Sequence, residues 1–143
     1  MSSANNLPLD GIRVIDFTQV MMGPSATQML ADFGADVIKI ENPRGGDLSR
    51  TAFGATDEAG LNNPVFCSLN RNKRSLALNL REDANKAIVY ELIRDADVVI
   101  SNFRAGVMDR IGFGYPETAA FAAEFSALCS DGPVFREFDV VDI

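Results

Sequence analysis

Polar and basic residues gather in three short segments, each of which directly follows a run rich in apolar residues. The segments are TQVMMGP (18–24), ENPRGGD (41–47) and NFRAG (102–106). A glycine before a helix start exposes backbone N–H groups that attract an anion, and arginine binds phosphate oxygens through its planar fork. NFRAG adds an amide and an aromatic face, against which a purine ring packs. The three segments are therefore candidate binding sites for an adenine nucleotide.

Each segment also has an ordinary structural interpretation. The Gly-Pro pair at 23–24 is either an anion site at a helix N-terminus or a plain turn between a strand and a helix. Met21 and Met22 either line an apolar pocket or pack in the core. The PRGGD motif is either an anion-binding loop, with Arg44 and Arg50 as donors, or a solvated turn. The residue pattern leaves these pairs of interpretations open.

Charged residues elsewhere offer further candidates for chemistry. The basic run NRNKR (70–74), which Arg81 follows, either holds phosphate groups or forms a solvated loop. Asp16 ends the first predicted strand, where an aspartate is either a catalytic acid or a cap for a nearby helix. Asp139 lies close to the C-terminus, where chains commonly fray. The chain contains no histidine, which excludes histidine catalysis and histidine metal ligands within this polypeptide.

Composition narrows the range of partners. The 143 residues include 20 acidic and 13 basic side chains, for a net charge of −7, so nucleic acid is not an expected partner. No apolar stretch approaches ~18 residues, so we expect no membrane span, and the polar start of the sequence predicts no secretion signal. Cys67 and Cys129 are spaced neither as a zinc site nor as a redox pair. We therefore expect a cytoplasmic protein with reduced thiols and no bound metal.

Strands and helices are predicted to alternate along the chain. Apolar, β-branched runs predict strands over 11–17, 36–41, 74–80 and 97–101. Helical spacing predicts helices over 23–36, 81–96 and 104–112, and a helix that finishes as a strand over 115–129. Residues 42–73 are predicted to form one long connection. The first helix is predicted to bury an apolar face made of Ala26, Met29, Leu30 and Phe33.

This alternation predicts an α/β fold, in which a mainly parallel, Rossmann-like sheet is covered by helices on both faces. Ligands of such sheets bind beyond the carboxyl ends of the strands, where the three segments described first would meet. We expect a flexible N-terminal segment at 1–10, one α/β domain over 11–130 and a divergent C-terminal tail at 131–143.

Three blocks of the sequence, taken in order, are similar to a known family. They are PLDGIRVIDFTQVMMGPSATQMLADFGADVIKIENPRGGDLSR (8–50), NRNKRSLALNL (70–80) and DADVVISNFRAGVMDRIGFGY (95–115). These blocks resemble the amino-terminal part of class III CoA-transferases, a family that includes formyl-CoA transferase, carnitine CoA-transferase and 2-methylacyl-CoA racemase. The resemblance implies that residues 11–130 form a domain that binds coenzyme A, and that the chain is truncated relative to the family.

The resemblance also implies which residues contact coenzyme A. They follow the predicted strand ends and include apolar, amide and basic side chains: Gln19, Met21, Met22, Asn42, Arg44, Leu78, Arg81, Asn102, Phe103, Arg104 and Arg110. The implied substrates are an acyl-CoA and a carboxylate acceptor. Family members form dimers, so a homodimer is implied as well.

Catalysis in the family starts with an aspartate, which attacks the acyl-CoA thioester and forms a mixed anhydride and then an aspartyl-CoA thioester. One alignment of the last residues, ALCSDGPVFREFDVVDI (127–143), assigns this role to Asp139, and a rival alignment of CSDGPV leaves no nucleophile. The racemase branch resembles a His/Asp two-base enzyme, so the absence of histidine favours the transferases. The implied function is CoA transfer, by a domain that is either active alone or inactive because it is truncated. The alternative is a non-catalytic module that binds coenzyme A or associates with itself.

Overall fold

Four parallel strands and four α-helices alternate along the chain in the computed structural model, which describes residues 7–52 and 63–114. The strands are β1 (Arg13–Asp16), β2 (Asp36–Glu41), β3 (Arg74–Ala77) and β4 (Val98–Ile100). The helices are α1 (Met22–Asp32), α2 (Pro64–Asn70), α3 (Asp83–Arg94) and α4 (Val107–Ile111). One sheet contains these strands in the order β3-β2-β1-β4, which confirms the predicted Rossmann-like α/β fold.

Parallel pairing brings the carboxyl ends of the strands to one edge of the sheet. Ile15 of β1 lies opposite Ile38 of β2 on one side and opposite Val99 of β4 on the other. Ile40 of β2 lies opposite Leu76 of β3. The segments that follow β1, β2 and β4 therefore share the edge at which parallel sheets bind their ligands.

The two faces of the sheet differ in chemistry, because successive side chains of a strand point to opposite faces. One face is apolar and packs against residues from α3 and α4; it carries Ile15, Ile38 and Ile40 of the strands and Phe17, which directly follows β1. The other face packs against α1 and carries buried charged side chains; they are Asp16, Lys39 and Glu41. The charged face lies directly behind the edge at which the candidate segments meet.

Helix α1 turns a different face to the sheet from the predicted one. Its buried residues are Pro24, Thr27, Gln28 and Ala31. Met29 and Phe33, from the predicted apolar face, are instead 58% and 54% exposed. The cause is the charged strand residue beneath the helix, since Thr27 Oγ1 donates a hydrogen bond to Asp16 Oδ2 at 2.7 Å. A buried carboxylate requires such donors, so α1 buries Thr27 and Gln28 together with Pro24 and Ala31. Of the predicted apolar face, Leu30 still packs against a buried cluster that includes Val14 and Val37.

The predicted long connection at 42–73 is not free of helix. It contains a short 3-10 helix at Leu48–Arg50 and helix α2. Asn63 caps the N-terminus of α2, because its Oδ1 accepts hydrogen bonds from the N–H groups of Val65 and Phe66 at 2.9 and 3.2 Å. An asparagine cap followed by proline is a helix-start signal. The seven residues of α2 are too few for apolar periodicity to reveal the helix.

Three predictions fall wholly or partly outside the described residues. The N-terminal segment at 1–10 is described only from Leu7 onwards. The predicted helix and strand at 115–129 and the tail at 131–143 lie outside the described ranges, as does Asp139. The role of Asp139 as a nucleophile therefore stays a prediction.

Candidate functional site

A cleft of about 410 Å³ opens at the carboxyl edge of the sheet. Apolar side chains form most of its wall: Phe17, Ile40, Leu48, Leu78, Leu80, Phe103, Val107 and Ile111. Polar side chains interrupt this wall at a few points: Gln19, Glu41, Asn42, Asn79 and Arg81. A concave, mainly apolar surface with a few polar groups is the usual form of a small-molecule site.

The structure brings part of the predicted contact set together in this cleft. The predicted residues that line it are Gln19, Asn42, Leu78, Arg81 and Phe103. Arg104 directly follows Phe103, and Arg110 directly precedes Ile111 of the wall, and both arginines are exposed. Arg44 lines a second, more polar groove of about 460 Å³, which shares part of its wall with the cleft.

Six of the predicted contacts do not line the cleft: Met21, Met22, Arg44, Asn102, Arg104 and Arg110. Met21 and Met22 lie at the start of α1, where they are 48% and 83% exposed, so the alternative that they pack in the core is wrong. Asn102 instead bonds the backbone of Gln19, whose N–H donates to Asn102 Oδ1 at 2.8 Å. Asn102 Nδ2 donates in return to the Gln19 carbonyl oxygen at 3.0 Å.

The basic residues of the described ranges divide into two groups. Those in ion pairs are Arg13, Lys39, Arg50, Arg71, Lys73, Arg74, Lys86 and Arg94. Within residues 7–52 and 63–114, no carboxylate pairs with Arg44, Arg81, Arg104 or Arg110. The net charge of the chain is −7, yet Arg81 lies in the wall of the cleft and Arg44 in the wall of the neighbouring groove, each without a carboxylate partner among the described residues.

The basic side chains of the run at 70–74 form ion pairs within the protein. Arg71 Nη2 pairs with Asp32 of α1 at 2.6 Å, and Arg74 Nη2 pairs with Asp36 of β2 at 2.5 Å. Lys73, between them, has a buried side chain. Arg71 and Arg74 stay exposed, which agrees with a solvated loop, but both guanidinium groups are paired with carboxylates and neither is unpaired for a phosphate. The run instead ties α2 and β3 to α1 and β2.

Lys73 and Asp16 form a buried ion pair between the sheet and the helices behind the cleft. Lys73 Nζ lies 3.2 Å from Asp16 Oδ2 and also donates to oxygen atoms of α1 and α2, each at 2.9 Å. Burial lowers the pKa of Lys73 to about 8, and the charge of Asp16 offsets only part of this effect. Asp16 is fully buried and also accepts hydrogen bonds from Thr18 and Thr27. Asp16 does not line the cleft, and it does not cap α1, whose N-terminus has no side-chain cap hydrogen bond.

Glu41 lines the cleft, but its carboxylate is fully occupied. Arg50 donates to it from Nε at 2.7 Å and from Nη2 at 2.8 Å, Ser75 Oγ donates at 2.6 Å, and the N–H of Asp47 donates at 2.8 Å. Burial raises the pKa of Glu41, but these donors outweigh burial and hold the pKa below its usual value. Arg50 also lies 3.6 Å above the ring centroid of Phe66. Arg50 is thus not available to an anion, which leaves Arg44 as the donor in the PRGGD motif.

The sequence carries little signal for the apolar wall and for the buried charges. Val107 and Ile111 are four residues apart on one face of α4, but a five-residue helix is too short for this spacing to be distinctive. Lys39 Nζ lies 2.9 Å from Asp47 Oδ2, and both side chains are buried. A lysine inside the apolar strand VIKIE indicates that a partner exists, but not that the partner is Asp47.

Two kinds of site are not found in the described part of the chain. No cluster of three or more His, Cys, Asp or Glu side chains there has the arrangement of a metal site. No helix in these ranges is both long enough and apolar enough to cross a membrane.

Comparisons with known proteins identify relatives of the chain. The model of CoA-transferase family III matches residues 9–124. The chain is 47% identical over 112 residues to the acetyl-CoA:oxalate CoA-transferase of Acetobacter aceti. It is 49% identical over 106 residues to a formyl-CoA:oxalate CoA-transferase of Escherichia coli. These matches cover 78% and 74% of the chain but 28% and 25% of the relatives, so the chain spans about a quarter of their length.

Solved structures lead to the same family. A CAIB/BAIF family protein from Brucella suis matches with a TM-score of 0.74 and 38% identity, over 81% of this chain and 31% of that one. A hypothetical protein from Mycobacterium tuberculosis matches with a TM-score of 0.70 and 39% identity, over 80% of this chain and 30% of that one. The fold, the matched residues and the relatives agree with the resemblance seen in the sequence. The chain belongs to CoA-transferase family III.

Proposed function

We propose that this chain provides the coenzyme A-binding part of an acyl-CoA transferase, which moves coenzyme A from an acyl-CoA to a carboxylic acid. Residues 11–130 are the proposed binding domain. The observation that carries the proposal is one mainly apolar cleft whose wall includes Arg81, with Arg44 in the adjoining groove. Neither arginine has an acidic partner among the described residues, nor do Arg104 and Arg110, which neighbour wall residues in the sequence. Every other basic residue within 7–52 and 63–114 is held in an ion pair.

The chemistry of coenzyme A supports this combination of apolar wall and arginines. Its adenine ring has apolar faces, whereas its 3′-phosphate and diphosphate carry several negative charges. Leu78 and Phe103 offer apolar surface to the ring, and Arg81 belongs to the same wall. Arginine binds phosphate oxygens in bidentate geometry. An acidic protein must concentrate positive charge locally in this way, because its overall field repels a polyanion.

The proposed reaction needs a carboxylate nucleophile, and the cleft does not supply a free one from the described residues. Glu41 lines the wall, but its oxygens accept bonds from Arg50, Ser75 and the backbone of Asp47. The proposed nucleophile is Asp139, which one alignment to the family assigns to this role and which lies outside the described ranges. On this proposal the described residues bind coenzyme A, and its transfer requires Asp139 in addition.

The proposed transfer proceeds through covalent intermediates on the aspartate. The carboxylate attacks the thioester carbonyl, the C–S bond breaks, and the coenzyme A thiolate leaves behind a mixed anhydride. The thiolate then attacks the aspartyl carbonyl, which releases the first acid and forms an aspartyl-CoA thioester. The acceptor acid reverses these two steps. Oxalate is the acid in the names of two relatives, and we assign small carboxylic acids as the acceptor class.

Calorimetric titration of the 143-residue chain with coenzyme A and with dephospho-CoA tests the binding proposal. We expect tighter binding of coenzyme A, because dephospho-CoA lacks the 3′-phosphate. Arg81→Ala should weaken binding roughly tenfold, which corresponds to about 1.5 kcal/mol for a hydrogen bond to a charged group. Arg71→Ala is the matched control, since it removes a guanidinium that is 58% exposed and paired with Asp32. Equal binding of both ligands, or equal losses in both variants, would contradict the proposal.

Asp139→Asn tests the catalytic part separately. The chain is incubated with acetyl-CoA and oxalate, and oxalyl-CoA is measured by chromatography. The proposal expects product from the unmodified chain and none from the variant. Coenzyme A binding without product from either chain would favour the non-catalytic alternative.

A self-associating module is the second candidate, and the exposed apolar residues of α1 favour it. Met22, Met29 and Phe33 are 83%, 58% and 54% exposed on this helix and its end. Their spacing of seven and four residues places them along one side of the helix. Exposed apolar side chains in such an arrangement favour association, and a homodimer is the expected product. Sedimentation velocity should show a dimer that Met29→Lys converts to a monomer. A monomer at every concentration of the unmodified chain would exclude this candidate.

A further inference from the structure

The segment between β1 and α1 adopts a backbone conformation that its own residues disfavour. Val20 has a φ of 72°, in the left-handed region, where a β-branched residue is strained by roughly 1–2 kcal/mol. Gln19, the residue before it, lines the cleft. Strain of this kind persists only where the surroundings fix it, and it concentrates at functional sites.

Two side chains from other loops close on this strained pair of residues. Asn102, after β4, bonds both backbone groups of Gln19, with distances of 2.8 Å to its nitrogen and 3.0 Å to its oxygen. Asp47, after β2, accepts a hydrogen bond from the N–H of Val20 at 3.0 Å. Three successive backbone groups are thus satisfied by side chains from distant parts of the sequence. We refer to Asn102 and Asp47 together as the clamp.

Buried contacts hold the Asp47 half of the clamp. Asp47 Oδ2 lies 2.9 Å from Lys39 Nζ, and the same nitrogen donates to the Thr18 carbonyl oxygen at 2.6 Å. Asp47 Oδ1 also accepts from the N–H and the hydroxyl of Ser49, each at 2.8 Å. Burial raises the pKa of Asp47, but Lys39 and Ser49 outweigh burial and hold the pKa below its usual value. The carboxylate is therefore an ionised acceptor at neutral pH.

The Asn102 half of the clamp is exposed, but it packs closely against Gly23 on one side. A Cβ atom added at Gly23 would lie 2.5 Å from Thr18 Cβ and 2.9 Å from Asn102 Cγ. The glycine of the Gly-Pro pair is therefore explained by the close approach of Thr18 first and of Asn102 second. Of its two interpretations, a structural turn accounts for the glycine without an anion.

We propose that Asn102 is a positioning residue, which keeps Val20 in the left-handed conformation and so presents the side chain of Gln19 to bound coenzyme A. This role rests on the proposed function. It differs from the direct contact that the family resemblance implies, because Oδ1 and Nδ2 of Asn102 are both engaged by Gln19. Without Asn102, Val20 relaxes towards negative φ and Gln19 leaves its place in the wall.

Coenzyme A affinities of paired variants of the full chain test this role by calorimetry. Asn102→Ala should weaken binding about tenfold, as expected from roughly 1–2 kcal/mol of released strain. Val20→Gly, added to Asn102→Ala, should recover at least about threefold, because glycine adopts positive φ without strain. Val20→Ala is the matched control, since it truncates the same side chain, keeps the strain and should recover nothing. Unchanged affinity in Asn102→Ala, or no recovery with Val20→Gly, would overturn the proposal.

Amide hydrogen exchange tests the clamp independently of any ligand. The amides of Gln19 and Val20 should be protected in the unmodified chain, and Asn102→Ala should expose them while the amide of Ile15 in β1 stays protected. Fast exchange of both amides in the unmodified chain would overturn the clamp. If the unmodified chain does not bind coenzyme A, the proposed function is wrong, and so is the presentation of Gln19 to that ligand. The exchange data then still show whether Asn102 holds the backbone of Gln19 and Val20.

Discussion

Replacing Thr27 by valine tests whether α1 is attached to the sheet by a polar contact. Thr27 is fully buried, and its Oγ1 donates a 2.7 Å hydrogen bond to the buried carboxylate of Asp16. Valine has nearly the same shape, so the change deletes the hydroxyl without creating a cavity. A hydrogen bond to a charged group contributes about 1.5–3 kcal/mol. Because Asp16 keeps Thr18 and Lys73 as partners, we expect the free energy of unfolding to fall by about 2 kcal/mol.

Urea and thermal denaturation, followed by circular dichroism, measure this loss. For a domain of this size, ~2 kcal/mol lowers the Tm by roughly 10 °C. Thr27→Ser is the matched control, since it keeps the hydroxyl and loses one methyl group, at about 0.8 kcal/mol. The reasoning is refuted if Thr27→Val is as stable as the unmodified chain or more stable than Thr27→Ser. In that case α1 would pack through the apolar contacts that its sequence predicts.

Three further substitutions test the buried charges and the close packing at the cleft edge. Lys73 has a pKa of about 8 in the folded chain against an ordinary 10.5, so the unfolded chain holds this proton more tightly. The free energy of unfolding should therefore rise between about pH 8 and 10.5, by up to ~3 kcal/mol. Urea denaturation of Lys73→Met at the same pH values should lack this rise, and an equal dependence of the free energy of unfolding on pH in both chains would contradict the prediction. Glu41→Gln removes the charge that faces Arg50 and should lower the free energy of unfolding, measured by urea denaturation, by about 3 kcal/mol. An unchanged free energy of unfolding would show that the pair is not stabilising. Gly23→Ala should lower the Tm through about 1–3 kcal/mol of overpacking, while Gly45→Ala, whose added Cβ meets no atom within 4 Å, should leave the Tm unchanged; similar shifts would count against the packing explanation.

The strand and helix pattern made the fold class predictable. Strand residues such as those of DVIKIE at 36–41 are buried on both faces of the sheet, and continuous apolar runs are the signature of such strands. The boundaries of β2 agree with the prediction, and the alternation with helices leads directly to parallel pairing. The edge at which candidate ligand residues meet follows from that pairing alone.

The orientation of α1 was not predictable from its own residues. Apolar periodicity identified Met29 and Phe33 as its buried face, and the structure exposes both. The orientation of the helix depends on Asp16, a residue of the neighbouring strand. The helix propensity and apolar periodicity of α1 contain no information about that partner. The same reason explains Asn102, whose role depends on the backbone of a loop that lies 83 residues away in the sequence.

By itself, the sequence of this protein determined its α/β class, its parallel order of strand and helix, and the segments that meet at the ligand edge. It also carried the residues that mark the CoA-transferase family. Only the tertiary structure decided which charges are paired: Lys73 and Arg74 pair with Asp16 and Asp36, whereas Arg81 lines the cleft with no carboxylate partner among the described residues. The physical reason is that local pattern depends on neighbours along the chain, whereas an ion pair depends on distances that exist only after folding.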